Sequence, residues 1–262
     1  MPYFDSHAHY NDVRFSAKYP GGAAAALSAA RAVGVEYIVN VGTNPQTSQE
    51  SLALAEAYDY VYAAVGLHPT DARDIPDDRL NAVFDELRGQ SRHPKCRAFG
   101  EIGLDYHWDP DGACRQKRIF DVLLSIAEEM GLPAVIHDRD AHGDCFDLIR
   151  AHPNARGILH SFSGSAEMAR QLAARGWYIS FSGPITYKNA HKVREAAAVV
   201  PHELILVETD CPYLPPVPHR GELNHSGYLP FTVAALADAI GVTAAEAAAL
   251  TFRNAKTVFG LS

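Results

Sequence analysis

A chain of 262 residues, 47% hydrophobic and 21% charged, can bury a large core in one domain, and α/β barrels reach this length undivided. The formal charge of −8 excludes a broad basic face that coats nucleic acid, so a nucleic-acid substrate would be held locally, where bound divalent cations offset the negative charge. Cys96, Cys114, Cys145 and Cys211 lie far apart without C-x-x-C spacing, which excludes a zinc ribbon or a disulfide scaffold. No secretion signal and no apolar run of membrane-spanning length is visible, so a soluble, cytoplasmic protein with no membrane association is expected.

The first predicted strand, residues 3–7, is a short apolar run that leads into two histidines one residue apart, His7 and His9. Side chains alternate with a period of two along an extended chain, so both imidazoles should emerge on one side and grip one cation. Further runs of strand length follow at residues 35–41, 61–66, 97–101, 134–137, 157–160, 177–181 and 204–208. Between them lie alanine-rich or amphipathic stretches at 22–33, 46–57, 77–88, 115–130, 166–175 and 191–200, read as helical crossovers because alanine is the best helix former. Residues 212–230, rich in Pro and Gly, form a long ordered loop, and helices at about 231–240 and 243–258 close the chain. Repeated βα units of this kind predict a single-domain (β/α)8 TIM barrel over residues 1–262, with a doubly wound open sheet as the competing arrangement.

Active sites of such barrels gather at the carboxyl ends of the strands. The first strand ends in His7 and His9, the fourth in Glu101, the fifth in His137, the sixth in His160, and the eighth in Glu208-Thr209-Asp210. Taken singly, each has an ordinary explanation: a core histidine, a buried ion-paired carboxylate, or a cap at Asp210. Packing gives no reason to collect ionisable groups at one end of five strands, so the joint pattern points to a pair of divalent cations.

The blocks Asp5-x-His7-x-His9, Gly100-Glu101-Ile102-Gly103-Leu104-Asp105-Tyr106, His137-Asp138-Arg139, His160-Ser161-Phe162-Ser163-Gly164 and Glu208-Thr209-Asp210-Cys211-Pro212-Tyr213-Leu214 together resemble the TatD-type metal-dependent deoxyribonucleases of the amidohydrolase superfamily. The resemblance covers nearly the whole chain, through Pro218-His219-Arg220-Gly221 and Asn224 to Thr251, Asn254 and Phe259. It implies that His7, His9 and Asp210 hold one cation, that His137 and His160 hold the other, and that Glu101 bridges them. One carboxylate can do this because its two oxygens reach ions about 3.5–4 Å apart. Phosphotriesterase-like barrels are similar in layout but carry a carboxylated lysine where Glu101 stands. Two departures stand out: Ser161 replaces the usual cysteine, with a side chain expected to alternate away from the mouth, and residues 225–230 lack the acidic-then-proline pattern common there.

The implied activity is hydrolysis of DNA phosphodiester bonds by a metal-activated water, with DNA as substrate and no obligate protein partner. Asp210 is the candidate to take the proton from that water, and His68 to bind a phosphate oxygen or protonate the leaving group. Arg139 and Arg220 are candidate phosphate clamps, with Lys188 behind them. Tyr106 and Trp108 could stack on a base or pack at the rim. Imidazole ligands favour zinc, manganese, iron or nickel over magnesium, without choosing among them. The competing functions are hydrolysis of an ester, lactone or amide, such as an aminoacyl-tRNA ester, and a non-enzymatic, metal-stabilised binding barrel.

Overall fold

The computed structural model describes all 262 residues. In chain order the elements are β1 (Tyr3–Ala8), α1 (Val13–Lys18), α2 (Gly22–Ala32), β2 (Val35–Val41), α3 (Pro45–Ala57), β3 (Val61–Val65), α4 (Pro69–Ala72), α5 (Leu80–Ser91), β4 (Cys96–Asp105), α6 (Ala113–Met130), β5 (Ala134–Arg139), α7 (His142–Ala151), β6 (Gly157–Leu159), α8 (Ala166–Ala173), β7 (Tyr178–Phe181), α9 (His191–Ala197), β8 (Ile205–Val207), α10 (Leu229–Ile240) and α11 (Ala244–Val258). The eight strands join one sheet whose neighbours follow chain order. A parallel bridge between Ala8 and Cys211, beyond the end of β8, returns the last strand to the first. This is the (β/α)8 barrel and not the doubly wound sheet. No single helix is long and apolar enough to cross a membrane.

The chain gathers into two compact units, residues 1–40 with 160–262, and residues 41–159. In the first unit, every residue of β1 is buried, as a strand covered on both faces requires. Phe4 stacks on Phe259 with ring centres 5.5 Å apart and meets Tyr37 at 5.5 Å and Phe252 at 6.3 Å, so aromatic packing ties β1 to α11. A capping box starts α11: Thr243 Oγ1 accepts from Glu246 N at 3.2 Å, and the Glu246 carboxylate accepts from Thr243 N at 2.8 Å. Asn254 then donates to the carbonyls of His202 and Ile205, fixing α11 to the entry of β8. The segment after β8 is an ordered loop, as its composition predicted, but it also holds a short helical turn at residues 226–228, and α10 begins at Leu229, two residues earlier than expected.

In the second unit, α3 opens with a capping box of Asn44 and Thr47 and with Pro45 in its first turn. Gly66 follows β3 where a Cβ would lie 2.3 Å from the Gly100 carbonyl carbon and 2.6 Å from Glu101 N, so only glycine lets the chain pass this close to β4. Gly103 has φ of 144°, and a Cβ there would meet the His137 carbonyl oxygen at 2.0 Å. Both glycines press the backbone against the strands that carry Glu101 and His137.

Two of the register shifts between strands place an extra residue next to an expected ligand. In β1, Asp5 pairs with Ile38 and Ala8 with Asn40, three residues of advance against two. In β4, Phe99 pairs with Ala134 and Ile102 with Ile136, the same mismatch. Such bulges break the period of two and re-aim side chains, and each stretch holds one expected ligand, His7 or Glu101. Glu101 is not the end of its strand, as the 97–101 reading had it. Pairing with β5 continues from Gly103–His137 to Asp105–Arg139, which carries β4 on to Asp105.

Candidate metal centre

In the first unit, β1 delivers His7 and the residue after next, His9, while the turn beyond β8 delivers Asp210. The two Nε2 atoms lie 2.9 Å apart, and Asp210 Oδ1 is 3.7 Å from that of His7 and 3.4 Å from that of His9. Asp210 adopts φ of 57°, a left-handed conformation that Asp tolerates better than most side chains. It is pinned there by its N–H to the His7 carbonyl and by its carbonyl to Tyr213 N, each 2.9 Å. Burial pushes the Asp210 carboxyl up, but the hydrogen bond from His9 and the neighbouring imidazoles outweigh it and hold the group below the ordinary range.

His160 follows β6 and stacks on His7, ring centres 4.1 Å apart. Its Nδ1 faces the fully buried Glu208 Oε1 at 3.1 Å, which holds a proton on Nδ1 and leaves the ring's lone pair on Nε2. Ser161 has φ of 41°, so strand alternation has stopped, and its hydroxyl pairs with that of Ser182 at 2.6 Å. His7, His160 and Asp210 offer three ligand atoms within 4.8 Å of one another.

In the second unit, Glu101, His137 and His68 come together. Glu101 Oε1 lies 2.8 Å from His137 Nδ1 and 3.6 Å from His68 Nε2. The other nitrogen of His137, Nε2, faces Asp105 Oδ2 at 3.0 Å. Asp105 is itself fixed: Oδ1 accepts from His107 N and Trp108 N, and its backbone is clamped on both sides by Gln116. Burial raises the Asp105 carboxyl, and the hydrogen bonds from His137 and from Trp108 N, with the neighbouring imidazoles of His137 and His68, more than offset it, leaving the group below its usual range. His68 Nδ1 accepts from Thr70 N at 3.2 Å, so the neutral ring carries its hydrogen on Nε2 and presents a donor, not a ligand lone pair.

These donors fit divalent cations. A neutral imidazole has one N–H, yet His137 has a carboxylate oxygen at each ring nitrogen, and His7 and His9 turn two nitrogens toward one another. A divalent cation would satisfy nitrogens and carboxylate oxygens that the one proton of a neutral imidazole cannot.

The remaining expected residues are more dispersed. Arg139 stands exposed at the end of β5, and the carboxylates flanking it are taken by histidines: Asp138 by His142 at 2.8 Å and Asp140 by His107 at 3.4 Å. Arg220 is exposed, its guanidinium 4.3 Å above the Tyr187 ring, and Lys188 is exposed nearby in the chain. Tyr106 donates to Asp144 at 2.7 Å, a packing role, whereas Trp108 is exposed.

Sequence reasoning assigned no role to the supports. Asp5 accepts from Thr209 N at 2.9 Å, from the Thr209 hydroxyl, and from Ser226 Oγ at 2.6 Å, tying β1 to the segment after β8. Burial pushes its carboxyl up to about 6. A charged residue inside a wholly buried strand was the available signal. Asn224 is buried too, and its Nδ2 donates to the Thr209 and Tyr213 carbonyls at 2.8 and 2.6 Å, on either side of Asp210.

Residues 4–260 match the family model described as TatD related DNase. An uncharacterized metal-dependent hydrolase of Bacillus subtilis, YabD, is 39% identical over 261 residues, 99% of each chain. One of Mycobacterium tuberculosis, named TatD, is 39% identical over 239 residues, covering 88% of this chain and 89% of that one. The crystal structure of YJJV, a TatD homologue from Escherichia coli, superposes with a TM-score of 0.90 at 30% identity, covering 99% of this chain and 98% of that one. The chain belongs to the TatD family of metal-dependent hydrolases.

Proposed function

We propose that the protein is a deoxyribonuclease that uses two divalent cations, one held by His7, His9 and Asp210, the other by His137 and His160, with Glu101 shared between them. The observation that supports this most is the pairing of each ring nitrogen of His137 with a carboxylate oxygen, Glu101 at Nδ1 and Asp105 at Nε2. That arrangement suits a ligand histidine with a carboxylate behind it. When bound, the cations act as Lewis acids and lower the pKa of a water toward neutrality.

The chain's own groups supply placement and proton movement. Asp210, kept ionised below the ordinary carboxylate range, is the acceptor for the proton of the attacking water. His68 offers Nε2–H to a phosphate oxygen or to the departing sugar oxygen, its tautomer set by Thr70 N. Arg139, with both flanking carboxylates occupied elsewhere, is the clamp for a non-bridging phosphate oxygen, and Arg220 is the second cation for the strand.

Elemental analysis of the purified protein, combined with digestion of single- and double-stranded DNA and a panel of esters and lactones, tests the proposal. Metal-dependent cleavage of DNA is the expected result. Hydrolysis of a carbonyl ester with DNA left intact would replace a nuclease by a carbonyl hydrolase.

A further inference from the structure

Tyr213 lies three residues beyond Asp210, and 45% of it is exposed. An exposed aromatic ring is ordinarily free to turn, but this one is held on every side that the protein can reach. Its hydroxyl contacts Asp12 Oδ2 at 3.4 Å, and the Arg14 guanidinium lies 3.9 Å from the ring centre, covering one face. Arg14 is in turn fixed by a two-point pairing with Asp12, Nε to Oδ1 at 2.8 Å and Nη2 to Oδ2 at 2.6 Å. The backbone is equally constrained, since Tyr213 N donates to the Asp210 carbonyl at 2.9 Å and Asn224 holds the Tyr213 carbonyl at 2.6 Å. His9 meets the ring edge-on, centres 6.1 Å apart and planes at 85°.

Arg14 backs one face of a ring that remains 45% exposed, so the ring has surface left for a ligand. The result is a flat, pre-ordered aromatic surface beside an expected metal ligand. Asp12 neutralises Arg14, so the cation is not free to act as a phosphate clamp, and its work is to stiffen the ring. An ordered ring costs little further side-chain entropy when it receives a planar ligand.

We propose that Tyr213 is a stacking platform for the nucleobase adjoining the phosphate that is cut. The inference rests on the nuclease reading above and adds a subsite to it. Because every base has a π-face, such a platform holds a single strand without choosing its sequence. A base locked in a duplex cannot reach it, so the subsite favours unpaired over paired DNA.

The test uses metal-loaded enzyme with two hydrolysis-resistant ligands, a single strand carrying 2-aminopurine and a sugar-phosphate strand of equal length without bases. Tyr213→Ala should bind the base-bearing strand about tenfold more weakly and lose the quenching of 2-aminopurine, with affinity for the base-free strand retained. Tyr213→Leu, which keeps apolar bulk without a π-face, should behave like the alanine variant, and Tyr213→Phe should restore binding. Unchanged affinity of the alanine and leucine variants for the base-bearing strand, or equal loss on both strands, overturns the platform. Cleavage of DNA by the unaltered enzyme is measured alongside: if it cleaves DNA while the variants bind normally, only the platform falls. If it hydrolyses esters and binds neither strand, the nuclease reading falls and takes the platform with it.

Discussion

His160 and His137 are both backed by a buried carboxylate, but at opposite ring positions. Glu208 meets His160 at Nδ1, whereas Asp105 meets His137 at Nε2. The first pairing leaves Nε2 to ligate and the second leaves Nδ1, the atom that already faces Glu101. The two rings therefore present different nitrogens, and the choice is made by the carboxylate behind each ring. Each carboxylate is fixed by its own surroundings, Asp105 by two backbone N–H groups and Gln116, Glu208 by burial beyond the end of β8.

Four experiments would break or sharpen this contrast. The largest effect is expected from a chelator, which removes what both rings would hold: turnover should fall to background and return on adding a divalent ion, read by a continuous nuclease assay. Next, Glu101→Ala should lower turnover by orders of magnitude with circular dichroism unchanged, because the carboxylate at His137 Nδ1 is gone while the strand pairing remains. Third, Asp105→Asn and Glu208→Gln should each weaken metal binding about 10- to 100-fold, measured by competition with a chelating dye. Both variants should loosen the cation proposed for His137 and His160 and spare the one proposed for His7, His9 and Asp210. Equal loss of both cations from a single substitution would mean that the carboxylates support the fold and not their own histidines.

The smallest effect concerns a histidine without a carboxylate behind Nδ1. His225 Nδ1 accepts from Gly227 N at 3.1 Å, and burial, helped by the nearby His219, lowers the ring from 6.5 to about 4. The unfolded chain takes up this proton near pH 6.5 and the folded chain only near 4. The contribution of the neutral ring to stability is thus complete above 6.5 and declines as pH falls through that window. Thermal unfolding followed from pH 7 to 4.5 should show a shallower decline in Tm for His225→Asn than for the unaltered protein.

Much of this was legible in the chain. Apolar runs of strand length separated by helical stretches specify the barrel, because parallel strands buried on both faces have little room for polar residues. His7, His9, Glu101, His137, His160 and Asp210 stood out as ionisable groups placed against those runs. What could not be read depends on register. The bulge at Glu101 and the extension of β4 to Asp105 arise from pairing with β5, and no local pattern announces them. Asp105 reaches a ring 32 residues away, and Asp5 a threonine 204 residues away, so their roles exist only once the strands are aligned. The crossover α7 was not among the predicted helical stretches, since His142–Ala151 opens with His-Gly-Asp and buries only Cys145 and Ile149.

The amide of Asn224 joins the two margins of the Pro-rich segment at a single point. Residues 214–223 leave and return through this closed base, and their free run is tied to the stretch after β7, where Tyr187 Oη donates to the Pro215 carbonyl at 3.0 Å and Thr186 Oγ1 accepts from Val217 N at 2.8 Å. Grafting another family member's 214–223 onto this protein, with Asn224 retained, should leave metal content as it was.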